Sequence, residues 1–136
     1  MVNDGTAPLV VVDAANTVGS VPDGWWRDRH GATERLRDAL AGLARTGLPE
    51  RADVPEWARR APLDLVLVVE GAAREVAPVP GVRVEAAPGS GDDLIAGIVA
   101  ARAPERPCLV VTADRELRRR VTAHGAAVAG PRSVRG

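Results

Sequence analysis

No lysine occurs in the 136 residues, so all eighteen basic residues are arginine. That removes nucleotide binding by a P-loop lysine, Schiff-base and pyridoxal-phosphate chemistry, and receiver-type phosphotransfer that needs a lysine. A single cysteine, Cys108, excludes an internal disulfide and a cysteine-rich zinc site. Phenylalanine and tyrosine are missing, leaving three tryptophans as the whole aromatic complement. Only His30 and His124 are present, too few to serve a paired-histidine mechanism well. Charge of either sign is not in excess: eighteen acidic residues balance the arginines, so a polyanion would be held by local patches and not by a global field. No apolar run approaches the ~20 residues needed to span a bilayer. The N-terminal segment lacks the basic region of a signal peptide, so a cytoplasmic location is expected.

What is present reads as one α/β domain over 1–136. Pro8 to Val12 is an apolar, valine-rich run ending at Asp13; Leu63 to Val69 repeats the pattern and ends at Glu70-Gly71; Cys108 to Thr112 repeats it and ends at Ala113-Asp114. Continuous β-branched runs of this length suit strands buried on both faces of a parallel sheet. Val82 to Glu85 and Ala126 to Val128 are weaker, edge-strand candidates. Helical spacing runs from Arg29 to Arg45, with Leu36, Ala39, Leu40 and Leu43 on one face, and from Ser90 to Arg102, with Leu94, Ile95, Ile98 and Val99. A third helix runs from Asp114 to His124, with Leu117 and Val121 inward and Gly125 ending it. Thr46 to Pro62, with its prolines, is a connection holding at most one short helical turn. The order β-α-β-β-α-β-α-β predicts a three-layer α/β/α sandwich on a mostly parallel sheet of four to five strands.

Ligands of such sheets sit beyond the carboxyl ends of the strands, where strand order reverses. The carboxylates fall at that edge: Asp13, Asp92, Asp93 and Asp114, with Asn16 one turn past Asp13 and Glu70 further out. Four aspartates with no lysine or histidine beside them would repel strongly in a cleft unless divalent cations neutralise them. Oxygen ligands suit Mg²⁺ or Mn²⁺, and such a site without a built-in nucleophile fits phosphodiester hydrolysis by an activated water. Helix capping is the competing account: Ser90 and Asp93 fit a capping box, and Asp114 fits a cap favoured by the helix dipole. Capping leaves Asp13 and Asp92 unexplained, since Asp13 is expected to begin no periodic helix.

Three blocks carry a resemblance: Val11-Val-Asp13-Ala-Ala-Asn16-Thr-Val-Gly19, Gly89-Ser-Gly-Asp92-Asp93-Leu-Ile, and Val110-Val-Thr112-Ala-Asp114-Arg-Glu-Leu-Arg118. Together, and in this order, they resemble the signature blocks of the NYN family of PIN-like ribonuclease domains, in its small bacterial stand-alone form, over about residues 8 to 131. The resemblance implies a metal-dependent endoribonuclease with Mg²⁺ or Mn²⁺ as cofactor and RNA as substrate. It further implies Asp13, Asp92, Asp93 and Asp114 as ligands of the cation and its water, Asn16 as a positioning group beside them, and Ser90 and Thr112 as hydrogen-bonding support. Glu70 stands where related domains often carry an acid. The sequence departs from the family pattern in stopping soon after Gly130-Pro131, where a further short hydrophobic segment would stand, so the last edge is expected to be incomplete or completed by a partner.

RNA grip would fall to arginine, whose planar fork suits phosphate: Arg27, Arg29, Arg74 and Arg115 are the candidates near the acidic edge. Arg118 to Arg120 read equally as a solvated helix face. Trp25 and Trp26 are the aromatics available for base stacking, although a core or homodimer contact is expected for at least one of them. A non-catalytic RNA- or metal-binding module within a larger assembly is the alternative. A haloacid-dehalogenase-type phosphatase would need a second aspartate at position 15, which is alanine. Nucleotide pyrophosphate hydrolysis would need a glutamate-rich helix that the chain lacks. Cys108 is expected to be a buried apolar group, and the histidines to lie at the surface.

Overall fold

Five apolar or amphipathic segments pair as strands in one sheet of order β3-β2-β1-β4-β5, every neighbouring pair parallel. This is the arrangement in a computed structural model that describes residues 7–135. The strands are β1 (Leu9–Asp13), β2 (Asp64–Val69), β3 (Val82–Ala86), β4 (Cys108–Val111) and β5 (Ala127–Ala129). The helices are α1 (Ala14–Val18), α2 (Arg29–Thr46), α3 (Gly91–Ala101), α4 (Arg115–Thr122) and α5 (Arg132–Arg135). Single 3-10 turns cover Trp25–Arg27, Glu56–Arg59 and Gly71–Ala73. The turn at Glu56–Arg59 is the short helical turn expected in the connection.

Why the central strands need no polar alternation is visible in their packing. Val10, Val12, Leu65, Leu67, Val69, Leu109 and Val111 point to one side, into a core shared with Leu36 and Leu40 of α2 and Val134 of α5. Leu9, Val11, Val66, Val68, Cys108 and Val110 point to the other, against Ile95 and Val99 of α3 and Leu117 and Val121 of α4. Both faces are covered by helices, which is the condition for all-parallel sheets. The expected sandwich is therefore present, with Cys108 buried as anticipated.

The details differ in four places. The strands β1 and β5 sit one residue later than their sequence patterns. The inward face of α2 uses Ala32 and Thr33 with Leu36 and Leu40, whereas Ala39 is exposed. A five-residue helix, α1, follows Asp13 directly; it is too short to display a hydrophobic period. After Gly130-Pro131 the chain forms the turn α5, whose Ser133 and Val134 are buried. Among the described residues, no helix is long and apolar enough to cross a membrane.

The chain runs outward through β1, β2 and β3, then returns to place β4 on the other flank of β1. The reversal lies between β1 and β4, where Val12 is level with Val111. Asp13 and Thr112, the next residue of each strand, therefore emerge side by side.

Candidate active site

At this reversal Asp13 is 4% exposed. Its Oδ2 accepts a hydrogen bond from the Thr112 hydroxyl at 3.0 Å, and its Oδ1 accepts one from the Asn16 backbone N–H at 3.3 Å. The second bond makes Asp13 the N-cap of α1, which corrects the expectation that it begins no helix. Burial nevertheless dominates its electrostatics. It pushes the Asp13 carboxyl up to about 6, against the two hydrogen bonds that favour the anion, and the negative charges of Asp92 and Glu70 push the same way.

Thr112 organises the exit of β4. Its hydroxyl accepts from the Asp114 N–H at 3.1 Å while donating to Asp13, and its carbonyl accepts from Arg118 Nε at 2.8 Å. Asn16 closes the gap from the α1 side, its Oδ1 accepting from the Ala113 N–H at 2.8 Å. The loop leaving β4 is thus tied to the loop leaving β1 by two side chains. Asp114 caps α4 by accepting from the Leu117 N–H at 2.9 Å.

On the β2 side, Glu70 Oε1 accepts from the Gly91 N–H at 3.3 Å. A Cβ on Gly91 would stand 2.7 Å from that oxygen, so only glycine lets the start of α3 approach the carboxylate without displacing it. Ser90 caps α3 through the Asp92 N–H at 3.1 Å. Asp92 is half-buried, and its carboxyl is shifted above the usual range first by burial, then by the charges of Asp114 and Glu70, with Arg120 opposing. Asp13, Glu70, Asp92 and Asp114 are thus linked, each through the field of at least one other.

Asp93 stands at the margin of this group, its charge adding last to the upward shift of Asp92. Its side chain is 77% exposed and pairs with Arg120 of α4 at 3.0 Å. Neighbouring positions on a helix are ~100° apart, and here Asp92 turns inward while Asp93 turns toward Arg120 and solvent. The reciprocal arm of the capping box is absent for the same reason, since Asp93 is engaged by Arg120.

All the donors at this edge are oxygen, which matches hard cations and not zinc. Among the described residues, no three histidine, cysteine, aspartate or glutamate side chains gather closely enough to hold an ion on their own.

The arginines divide. Arg29 lies 5.8 Å from the Trp25 ring and lines a narrow crevice with Ala14, Ala15 and Glu70, next to the acidic group. Arg27 stacks over Trp26. Arg74 is exposed at the end of the turn that follows Glu70, and Arg115 is exposed at the first position of α4. Arg118 and Arg120 are not merely a solvated face: one holds the Thr112 carbonyl, the other Asp93. For Arg118 the clue was its position one turn after Asp114, from which a helical side chain leans back toward the N-terminus. Trp25 packs against the core as expected for one of the pair, and Trp26 stays exposed. His30 pairs with Glu34 on the surface of α2.

No protein-family model matches this chain, and no curated protein matches it. Among solved structures it is similar to the crystal structure of Rae1 (YacP) from Bacillus subtilis, in its W164L mutant form. The TM-score is 0.66 at 16% sequence identity, over 92% of this chain and 70% of that one. At that identity the likeness establishes a shared α/β fold.

Proposed function

We propose that this chain is a Mg²⁺- or Mn²⁺-dependent endoribonuclease that hydrolyses RNA phosphodiester bonds. The reading rests above all on one observation: a buried aspartate, Asp13, stands at the strand-order reversal with Asp92 and Glu70 adding like charge to it. Leaving carboxylates unneutralised there costs stability, and a divalent cation removes that cost.

Asp13 and Asp92 are the residues that would hold the cation, with Asp114 and Glu70 as further oxygen donors through its waters. Such a cation supplies Lewis acidity, making water a competent nucleophile at neutral pH and offsetting charge on the phosphate. Thr112 and the Asn16 N–H each fix one oxygen of Asp13, so the carboxylate is held in one orientation before any ligand arrives. Asn16 fixes the distance between the two loops by holding the Ala113 N–H. Arg27, Arg29, Arg74 and Arg115 would grip phosphates, with Arg29 placed beside Glu70 to orient the strand.

The test is cleavage of an end-labelled single-stranded RNA with Mg²⁺ or Mn²⁺ and with EDTA. The wild type cleaves only with the ion, and Asp13→Asn and Asp92→Asn each lose at least about a hundredfold in rate, the scale of an electrostatic contribution at the reacting centre, with circular dichroism unchanged. Cleavage that survives both substitutions, in a preparation free of other nucleases, overturns the proposal. RNA binding without turnover by the wild type would identify the non-catalytic module instead.

A further inference from the structure

We propose that Trp26, with Arg27 beside it, forms a stacking subsite for one unpaired nucleobase of an RNA strand whose backbone continues toward the acidic edge. The proposal deepens the nuclease reading and rests on it for the identity of the ligand. Trp26 is the one exposed large hydrophobic side chain among the described residues, at 56%. It sits in the turn Trp25–Arg27, entered through Gly24 in the left-handed region (φ 84°), a conformation that a residue with a side chain rarely adopts.

The indole is held from both sides of the chain. Trp25 meets it edge to face, with ring centres 6.1 Å apart and planes at 87°, and Trp25 itself is seated on the core. Downstream, Asp28 caps α2 by accepting from the Gly31 N–H at 2.9 Å, which anchors the end of the turn. The platform is therefore mounted at both ends, and with Trp26 56% exposed a base can reach it without a large ordering cost on binding.

Each of the two rings has one guanidinium beside it. The Arg27 guanidinium lies 5.8 Å from the Trp26 centroid, and that of Arg29 lies 5.8 Å from Trp25. The nearby acids are occupied: Asp28 in its cap and Asp23 in an ion pair with Arg135. Trp25, against which the platform ring packs, and Arg29 also wall the crevice that contains Glu70, Ala14 and Ala15, so the platform lies one residue from a crevice that reaches the carboxylate group. An aromatic face with guanidinium beside it accepts a base and its neighbouring phosphate together, which is how single strands are held without reading sequence. Paired bases present no open face, so a duplex cannot use it.

The experiment measures binding of a labelled single-stranded RNA, and of the same sequence as a duplex, by fluorescence anisotropy in EDTA, where no cleavage occurs. Trp26→Ala weakens single-strand binding roughly tenfold, Trp26→Phe by no more than a few-fold, and duplex binding is equal in all three. With Mn²⁺ present, Trp26→Ala raises KM and leaves kcat in place. Equal single-strand affinity for wild type and Trp26→Ala overturns the subsite. So does a concentration-dependent dimer in sedimentation that Trp26→Ala abolishes, since the face then serves a second copy of the chain. Trp26-dependent binding without any wild-type cleavage in Mn²⁺ would sink the nuclease reading and keep the subsite; cleavage with unchanged KM in Trp26→Ala would do the reverse.

Discussion

The Thr112 hydroxyl donates to Asp13 across 3.0 Å although the two residues are 99 apart in the chain. It also accepts from the Asp114 N–H, so one small side chain holds the Asp13 carboxylate and the backbone at Asp114 at once. Replacing it by valine keeps the shape and removes both bonds. Thr112→Val should destabilise the fold by about 1–3 kcal/mol, the cost of leaving buried polar groups unpaired. It should also move the Asp13 carboxyl further upward, because the lost bond favoured the anion. Chemical denaturation and an NMR titration of the carboxyl carbon measure the two effects; an unmoved titration would show that the hydroxyl does not act on Asp13.

Asp13 makes stability depend on pH in an unusual direction. Its folded pKa, about 6, lies above the ordinary value of 3.8, so the native state binds the proton more tightly than the unfolded chain does. This group's contribution is complete below about 4 and is lost as pH rises through 6, an effect of at most roughly 3 kcal/mol. In Asp13→Asn the amide does not titrate, so the term vanishes while the amide oxygen still accepts from the Asn16 N–H. Without added metal, the urea midpoint of the variant should exceed that of the wild type at pH 8 and converge with it near pH 4. Parallel curves would contradict the assignment of this shift to Asp13.

Cations should oppose the same penalty. Mn²⁺ is expected to raise the melting temperature of the wild type at pH 8 by several degrees and by much less at pH 5, where protons compete for Asp13. Asp13→Asn and Asp92→Asn should lose the response. A metal-induced shift of full size in both variants would place the ion elsewhere.

The two adjacent aspartates of α3 should behave differently. Asp92 feels Asp114 and Glu70, whereas Asp93 is exposed and paired with Arg120. Asp93→Asn should leave cleavage within about threefold, since an exposed ion pair contributes little, while Asp92→Asn removes most of it. Equal losses would return Asp93 to the site.

At the amino ends of the strands the charges are compensated. Asp64 is buried and accepts from Arg83 Nε and Nη2 at 3.0 and 2.9 Å and from Arg106 Nη2 at 2.8 Å. Asp64→Ala strands a largely buried Arg106 and should cost about 3 kcal/mol, while leaving metal binding at the other end unchanged. A fall in metal affinity at equal folded fraction would link the two ends.

The strands and long helices were legible because each satisfies one strong rule. Apolar runs without alternation mean burial on both faces, and the caps Ser90 and Asp114 stand where the helices begin. What escaped the sequence was short or relational. The helix α1 has five residues and no period. Position 33 is a threonine, yet it is buried, its hydroxyl donating back to the Arg29 carbonyl. Whether Asp92 or Asp93 faces the cleft depends on how α3 is rotated against α4, and the identity of adjacent carboxylates carries no information about that. The same holds for Trp25 and Trp26, neighbours in sequence with opposite environments.

The strand order carries a consequence for biosynthesis. Since β4 must slot in beside β1 before Thr112 can reach Asp13, a nascent chain that has not yet extruded about its final fifth lacks this contact. The acidic edge is completed late in translation, so a truncated product ending ahead of β4 would lack the contact between Thr112 and Asp13.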